Sequence, residues 1–104
     1  LYVEEGILAQ RVKVALPSSS YWMDCVFDAN YNLRNIESVE AYIEKNKHLP
    51  DMPSGEELYK SGGVDVLEMI RLQQQKIEEL MLYIIHLNDE ISKLKRNDNQ
   101  RSNR

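Results

Sequence analysis

The sequence has 104 residues, a length that fits one domain or a fragment of one. Apolar residues make up 42% of it and charged residues 29%, which excludes wholesale disorder. Its 13 basic and 17 acidic residues give a net charge of −4, which argues against a dedicated nucleic-acid-binding protein. No apolar run approaches the roughly 18 residues that cross a bilayer, so we predict no membrane span. A folded monomer of this size would bury roughly two-thirds of its extended surface.

The sequence contains no pattern of catalytic or metal-binding residues. Its single cysteine, Cys25, excludes an internal disulfide framework and a cysteine-rich zinc site. His48 and His86 belong to no metal-binding motif, and the four glycines form no phosphate-binding loop. We therefore predict no enzyme activity, no metal and no cofactor. The chain begins at Leu1 without a signal peptide, so we expect it to be the C-terminal piece of a longer protein.

Residues 1–20 are predicted to form short β segments and a loop. Val12, Val14 and Leu16 alternate with their neighbours at a period of two, which is typical of a strand. Pro17 and the serines that follow it end this alternation. We therefore interpret residues 1–20 as a β-rich segment that ends in a loop.

Residues 21–64 are predicted to form a small helical head that aromatic side chains anchor. Tyr21, Trp22 and Tyr31 belong to its aromatic-rich first part. Aromatic side chains bury large areas, so we interpret these residues as a packing anchor. The alternative is a platform on which the same three residues bind a glycan or a protein receptor.

Two short helices are predicted within this head. Apolar residues at helical spacing predict a helix over 36–46, with Asn35 as its N-cap. Ser54 and Glu57 have the spacing of a capping box, which predicts a second helix over 55–61.

A long helix is predicted from Val66 to about Lys95, because this stretch contains neither proline nor glycine. Asp65 and Glu68 have the spacing of a capping box at its start. Residues 96–104 are rich in asparagine, arginine and serine, and are predicted to form a disordered basic tail.

Heptad positions a and d of the long helix form an apolar seam. The 4-3 spacing of its members persists for nearly four heptads, which indicates a parallel coiled coil. Gln73 would form one buried polar layer that fixes the register. The alternative is that the seam folds back onto residues 1–64 of its own chain. The predicted interface residues are Ile70, Ile77, Ile84 and Ile91 at a, and Val66, Gln73, Leu80, Leu87 and Leu94 at d.

The residues that flank the seam favour three helices over two. Met69, Met81 and Tyr83 lie at e and g positions and widen the apolar stripe. The one complementary g-to-e pair between neighbouring helices joins Glu90 to Lys95, and we predict it as an interchain ion pair. We therefore predict a homotrimer, with a homodimer as the alternative. The predicted fold class is α+β, with N-terminal β segments, a small helical head and a long coiled-coil helix.

The sequence resembles a C-terminal domain that recurs in long fibrous, tail-fibre-like proteins of Bacteroidetes bacteria and their phages. The resemblance implies a trimeric cap at the end of a fibre, on a virion or a bacterial cell surface. In that family glycine is usual where this chain has Lys47 and Asp51, so the turns there are expected to differ. The segments that carry the resemblance are Leu1–Leu8, Arg11–Leu16, Asp24–Phe27, Val39–Ile43, His48–Pro50 with Pro53–Ser54, and Lys76–Leu80 with Leu82–Tyr83.

The layout is also similar to that of endosialidase-type intramolecular chaperone domains of phage tail spikes. In those domains a helical head and a terminal coiled coil follow a β-rich shaft, and the domain cuts itself off at a Ser–Asp step. This chain has Phe27–Asp28 at the comparable place. The leading hypothesis is a non-enzymatic module that trimerises and registers an upstream fibre. An adhesive fibre tip and a self-cleaving chaperone are the alternatives.

Overall fold

A computed structural model describes residues 2–22 and 24–102 of the chain. These residues form helices and connecting loops, with one 3₁₀ turn at Ser19–Tyr21. Leu1 of the predicted β region and Asn103 and Arg104 of the predicted tail lie outside the described residues. The helices are α1 (Ile36–Asn46), α2 (Gly55–Lys60) and α3 (Val66–Ser102).

The predicted α+β class is wrong, because the described residues contain no β-strand and the fold is all-helical. Residues 2–16 are exposed along their whole length, and Gly6 interrupts them with a φ of 122°. A strand needs a neighbouring strand for its backbone hydrogen bonds, and a lone pair of strands is marginal even when it forms. Alternation of apolar and polar residues therefore does not suffice to make strands in this segment.

The short helices follow the predicted caps. The Asn35 side chain accepts a hydrogen bond from the Ser38 backbone N–H at 2.7 Å, and α1 begins at the next residue, as predicted. The Ser54 hydroxyl accepts one from the Glu57 N–H at 3.1 Å, and α2 follows it. Each side-chain oxygen satisfies a backbone donor that has no partner within the first turn.

Helix α3 begins as predicted and ends later than predicted. An Asp65 carboxylate oxygen accepts from the Glu68 N–H at 3.0 Å. The helix then runs through residues 96–102, which the sequence predicted as part of a disordered tail. These residues include no proline or glycine, and their helix propensities are only modestly unfavourable. With 37 residues, α3 is about 55 Å long.

Two loop residues adopt the backbone conformation that glycine favours. Lys47, which caps α1, has a φ of 63°, and Asp51 has a φ of 67°. These are the two positions at which the resembling fibre proteins usually have glycine. Both residues adopt a left-handed conformation that costs a side-chain-bearing residue about 1–2 kcal/mol. The expected difference between these turns and those of the fibre proteins stays a prediction.

The single chain has almost no core. Only Val26 and Pro50 are buried among the described residues. The chain exposes 9324 Å², whereas a compact monomer of this mass exposes about 6,100 Å². Its radius of gyration is 20.0 Å, compared with about 13 Å for a globule of this length. The chain alone therefore buries only about half of its extended surface, less than the two-thirds expected from its size.

Candidate assembly interface

The two faces of α3 differ in what covers them. Between residues 67 and 83, every half-buried side chain lies at position b, c, e, f or g of the heptad, and none lies at a or d. We call this half-buried set the docked face, because it carries the contacts with the helical head formed by residues 21–64. The docked face comprises Leu67, Met69, Arg71, Leu72, Gln74, Gln75, Lys76, Glu78, Glu79, Leu82 and Tyr83.

Tyr31 attaches the head to the middle of the docked face. Its hydroxyl donates to a Glu79 carboxylate oxygen at 2.7 Å and accepts from the Gln75 amide nitrogen at 3.1 Å. One helical turn further along, the Tyr83 hydroxyl donates to the backbone carbonyl oxygen of Arg34 at 2.6 Å. These bonds place the loop that precedes α1 directly against α3.

Lys76 joins the head to α3 through two carboxylates. Its ammonium lies 3.0 Å from Glu79 Oε1 and 3.3 Å from Asp51 Oδ2. The side chains of Lys76 and Glu79 are only 12% and 13% exposed, so this pair is partly shielded from water. Arg34 lies 3.4 Å from the other oxygen of Asp51. The left-handed turn at Asp51 thus places its carboxylate between two cations.

The same contacts raise the pKa of both tyrosines. Burial, together with the hydrogen bond to Glu79, raises the pKa of Tyr31 to about 12. Burial and the negative charge of Glu79 raise the pKa of Tyr83 as well. Both phenols therefore stay neutral over the ordinary pH range, and both keep the proton that they donate.

The three aromatic residues proposed as a ligand platform lie half-buried beside the docked face. The Tyr21 ring lies beneath the guanidinium of Arg71, whose carbon is 5.3 Å from the ring centre. Trp22 is half-buried, and Tyr31 is hydrogen-bonded as described above. Two of the three rings are thus engaged by their own chain, and glycan or receptor binding by this group stays a prediction.

The seam is the exposed face of α3. Its apolar members, eight of the nine predicted interface residues, are between 45% and 66% exposed, and Gln73 is exposed as well. The head packs against α3, as the fold-back alternative required, but it uses the docked face and leaves the seam open. Of the residues expected to widen the seam, Met69 and Tyr83 lie on the docked face, and Met81 is exposed.

Glu90, which is predicted to pair with Lys95 of another chain, already forms an ion pair within its own helix. The Glu90 carboxylate lies 3.3 Å from the Lys93 ammonium of the same helix, and both side chains are largely exposed. An exposed pair of this kind contributes little, so it leaves Glu90 free to exchange partners. The interchain pair of Glu90 with Lys95 stays a prediction.

Sequence reasoning missed the polar contacts of the docked face. Gln75, Lys76 and Glu79 have the spacing of an ordinary solvated helix face, and nothing in their order points to Tyr31 or Asp51. No local pattern points to these contacts, because they join residues that lie 25 to 48 positions apart in the sequence.

The described residues contain no group of side chains that could hold a metal ion. None of the described helices combines the length and apolar character needed to cross a membrane. Comparison of the chain with models of protein families, with curated proteins and with solved structures found no match.

Proposed function

We propose that this chain is a non-enzymatic assembly module that associates with copies of itself through the seam of α3. The observation that carries the proposal is the exposure of the whole seam, including the part before residue 84, where other faces of the helix contact the head. A soluble protein rarely leaves a continuous apolar ridge in water. Copies of the same helix offer the complementary knobs and holes that such a ridge requires.

The energy available from the seam is large compared with that of the single chain. Burying the seven apolar seam residues from Ile70 to Leu94 yields on the order of 10–20 kcal/mol per chain before ordering costs. Conformational entropy cancels much of this gain. Among the described residues only Val26 and Pro50 are buried within the single chain, so we infer that association is its main source of stability.

Ile at a with Leu at d is typical of parallel dimers in simple peptides, but we favour three parallel helices because the residues that flank the seam carry few charges. Parallel copies in register place each Gln73 beside its equivalents, where the amides can bond to one another. An antiparallel pair centred on Leu80 would place Gln73 opposite apolar residues instead. Lys76, the one charged g residue in the first half of the seam, is paired with Asp51 of the head and is therefore less available for the interhelical ion pairs typical of dimers.

The resemblance to fibre-terminal domains gives this module a context. In that context it trimerises and registers a tail-fibre-like protein of a phage or a bacterium, and it lies on the virion or at the cell surface. The head would then form a collar around the first half of the helical bundle. We favour retention of the module over self-cleavage, because the Phe27–Asp28 step lacks the serine of the self-cleaving domains.

The molar mass of the protein in solution tests this proposal. Light scattering of the unmodified chain is expected to give three times its 12.2 kDa mass. The double variant Ile77→Asp with Ile84→Asp places charges at two central a positions and is expected to lower the mass to that of one chain. A mass of one chain for the unmodified protein at micromolar concentration overturns the proposal.

A conservative variant controls for general damage. Ile77→Val with Ile84→Val keeps branched apolar side chains at both positions and costs about 0.5–1.5 kcal/mol at each. We expect it to keep the oligomeric mass and to dissociate at a higher protein concentration than the unmodified chain. Retention of the native mass by the aspartate variant would contradict a buried seam.

A further inference from the structure

An apolar groove lies between α1 and α3, next to the seam. It encloses about 200 Å³, and the apolar residues of α1 that line it remain partly exposed. Leu80 of the seam forms part of its wall, while Lys76 and Glu79 lie at its edge. The main lining residues are Ile36, Val39, Ile43, Leu49, Leu80 and Tyr83.

A second apolar patch lies on the opposite side of the seam at the same height. Met81 and Ile85 are 49% and 46% exposed and occupy positions e and b. The groove is on the g side of the same helix, where Lys76 and Tyr83 lie. The two patches of one chain therefore flank its seam from opposite sides and cannot cover each other.

Parallel association brings these patches together between chains. In a parallel coiled coil, a g residue of one helix faces the e residue of the next heptad in its neighbour. Lys76 is at g on the edge of the groove, and Met81 is the e residue of the following heptad. Ile85 lies one turn beyond Met81 on the same side. The side of a neighbouring helix that carries Met81 and Ile85 thus faces the groove.

We propose that the groove between α1 and α3 receives Met81 and Ile85 of the adjacent copy, so that each head packs across a neighbouring helix. This inference rests on the parallel assembly proposed above. The contact is heterologous, since groove and patch are different surfaces, and repetition around an axis closes it into a ring. Methionine suits this role because its flexible side chain fills irregular apolar gaps.

The surface available on the chain is sufficient for such a contact. The chain exposes about 3,000 Å² more than a compact monomer of its mass. A stable interface takes about 800 Å² from each partner. A trimer gives each chain two neighbours, one at its groove and one at its patch, so both apolar surfaces are covered by copies of the chain.

Disulfide formation between two different chains tests the contact directly. One chain carries Ile43→Cys, the other carries Ile85→Cys, and both carry Cys25→Ser to remove the native thiol. After co-expression and mild oxidation, we expect a disulfide-linked heterodimer on a non-reducing gel. Ile36→Cys serves as a second groove position, so that the geometry of one cysteine pair does not decide the result.

A cysteine on the far side of α1 is the matched control. Ala41 is exposed and points away from the apolar face of that helix, so Ala41→Cys paired with Ile85→Cys is expected to give at least tenfold less heterodimer. A yield from Ile36 and Ile43 no greater than that from Ala41 overturns the inference.

Ile84→Cys, at position a, separates this inference from the proposal on which it rests. Cross-linking of Ile84→Cys chains without cross-linking of the groove refutes the groove contact and leaves parallel assembly standing. If neither Ile84→Cys nor the groove cysteines cross-link, and the molar mass is that of a single chain, then the groove contact and the parallel assembly are both refuted.

Discussion

The two faces of α3 use different chemistry to make contacts. The docked face holds the head by hydrogen bonds, ion pairs and a cation–π contact, centred on Tyr31, Lys76 and Arg71. The seam is apolar apart from Gln73, and the described part of the chain leaves each of its residues largely exposed. Polar contacts contribute modestly to stability and depend on exact geometry, whereas apolar burial contributes in proportion to area. The docked face therefore determines where the head lies, whereas the seam can contribute to stability only if another copy covers it, as proposed above.

This division predicts that changes on the docked face and changes in the seam have separable effects. Damage to the docked face should loosen the head and leave the helices associated. Damage to the seam should separate the chains. The following substitutions test whether the two faces are in fact independent.

The largest effect on the docked face is expected from Lys76→Met. The substitution keeps the apolar stem but removes the charge that balances Glu79, which is itself largely shielded. Leaving such a carboxylate without its cation costs about 2 kcal/mol, less than the cost at a fully buried site. We expect weaker near-ultraviolet circular dichroism from the head and a lower urea concentration at the midpoint of unfolding. The molar mass should be unchanged.

Lys93→Met is the matched control for this substitution. Lys93 forms a pair with Glu90 at the same spacing along the same helix, but its side chain is 61% exposed. An exposed pair contributes only about 0–0.5 kcal/mol. Equal losses from the two variants would mean that the shielding of Lys76 has no energetic consequence.

Gln73→Leu in the seam is expected to raise the stability of the protein, unlike Lys76→Met, and by an intermediate amount. Replacing the polar layer by an apolar one is expected to stabilise the oligomer by about 1–2 kcal/mol per chain and to raise its melting temperature by several degrees. The same change removes the polar layer that fixes the register, so we expect a broader distribution of masses in native mass spectrometry.

Gln100→Leu, at an exposed position outside a and d, provides the comparison for Gln73→Leu. It should leave both the melting temperature and the mass distribution unchanged. If Gln73→Leu behaves in the same way, residue 73 is not buried between helices and the seam does not extend to that level.

The smallest effect is expected from Tyr31→Phe, which removes two hydrogen bonds and costs about 1 kcal/mol. Because the folded chain keeps Tyr31 protonated up to a pKa of about 12, its contribution is complete below pH 10 and declines as the pH rises from 10 to 12. Urea unfolding at a series of pH values should show this decline in the unmodified chain and a weaker one in the variant.

Tyr59 offers the control, since its side chain is 88% exposed. Tyr59→Phe should follow the unmodified chain at every pH. A decline between pH 10 and 12 that is as steep in Tyr31→Phe as in the unmodified chain would exclude Tyr31 as its source.

Local signals made the helices predictable, and long-range contacts were not predictable. Asn35, Ser54 and Asp65 determine helix starts through atoms only three residues away, so the sequence order is sufficient to locate them. The predicted β segments failed because pairing depends on a partner strand that the sequence pattern does not specify. The end of α3 was misplaced because asparagine and serine weaken a helix without stopping it.

The residues of the seam could be listed from the sequence, but the position of the head on the same helix could not be predicted. The heptad pattern defines the seam from Val66 to Leu94 by its period alone, and the burial of these residues between chains stays a prediction. The pattern did not reveal which remaining residues the head would cover, because Tyr31, Asp51 and Glu79 meet only after the loops have turned. The docked face therefore required the structure.

From residue 84 to residue 101 every described side chain of α3 is exposed, so this part of the helix has little support from its own chain. Most helical stability in proteins comes from the packing of an apolar face rather than from intrinsic propensity. If copies associate through the seam as proposed, the helical state of this part is coupled to their association, and the stability of the associated helix rises with protein concentration. Copies held side by side by a tether would reach a high effective concentration and close the bundle without a diffusive search.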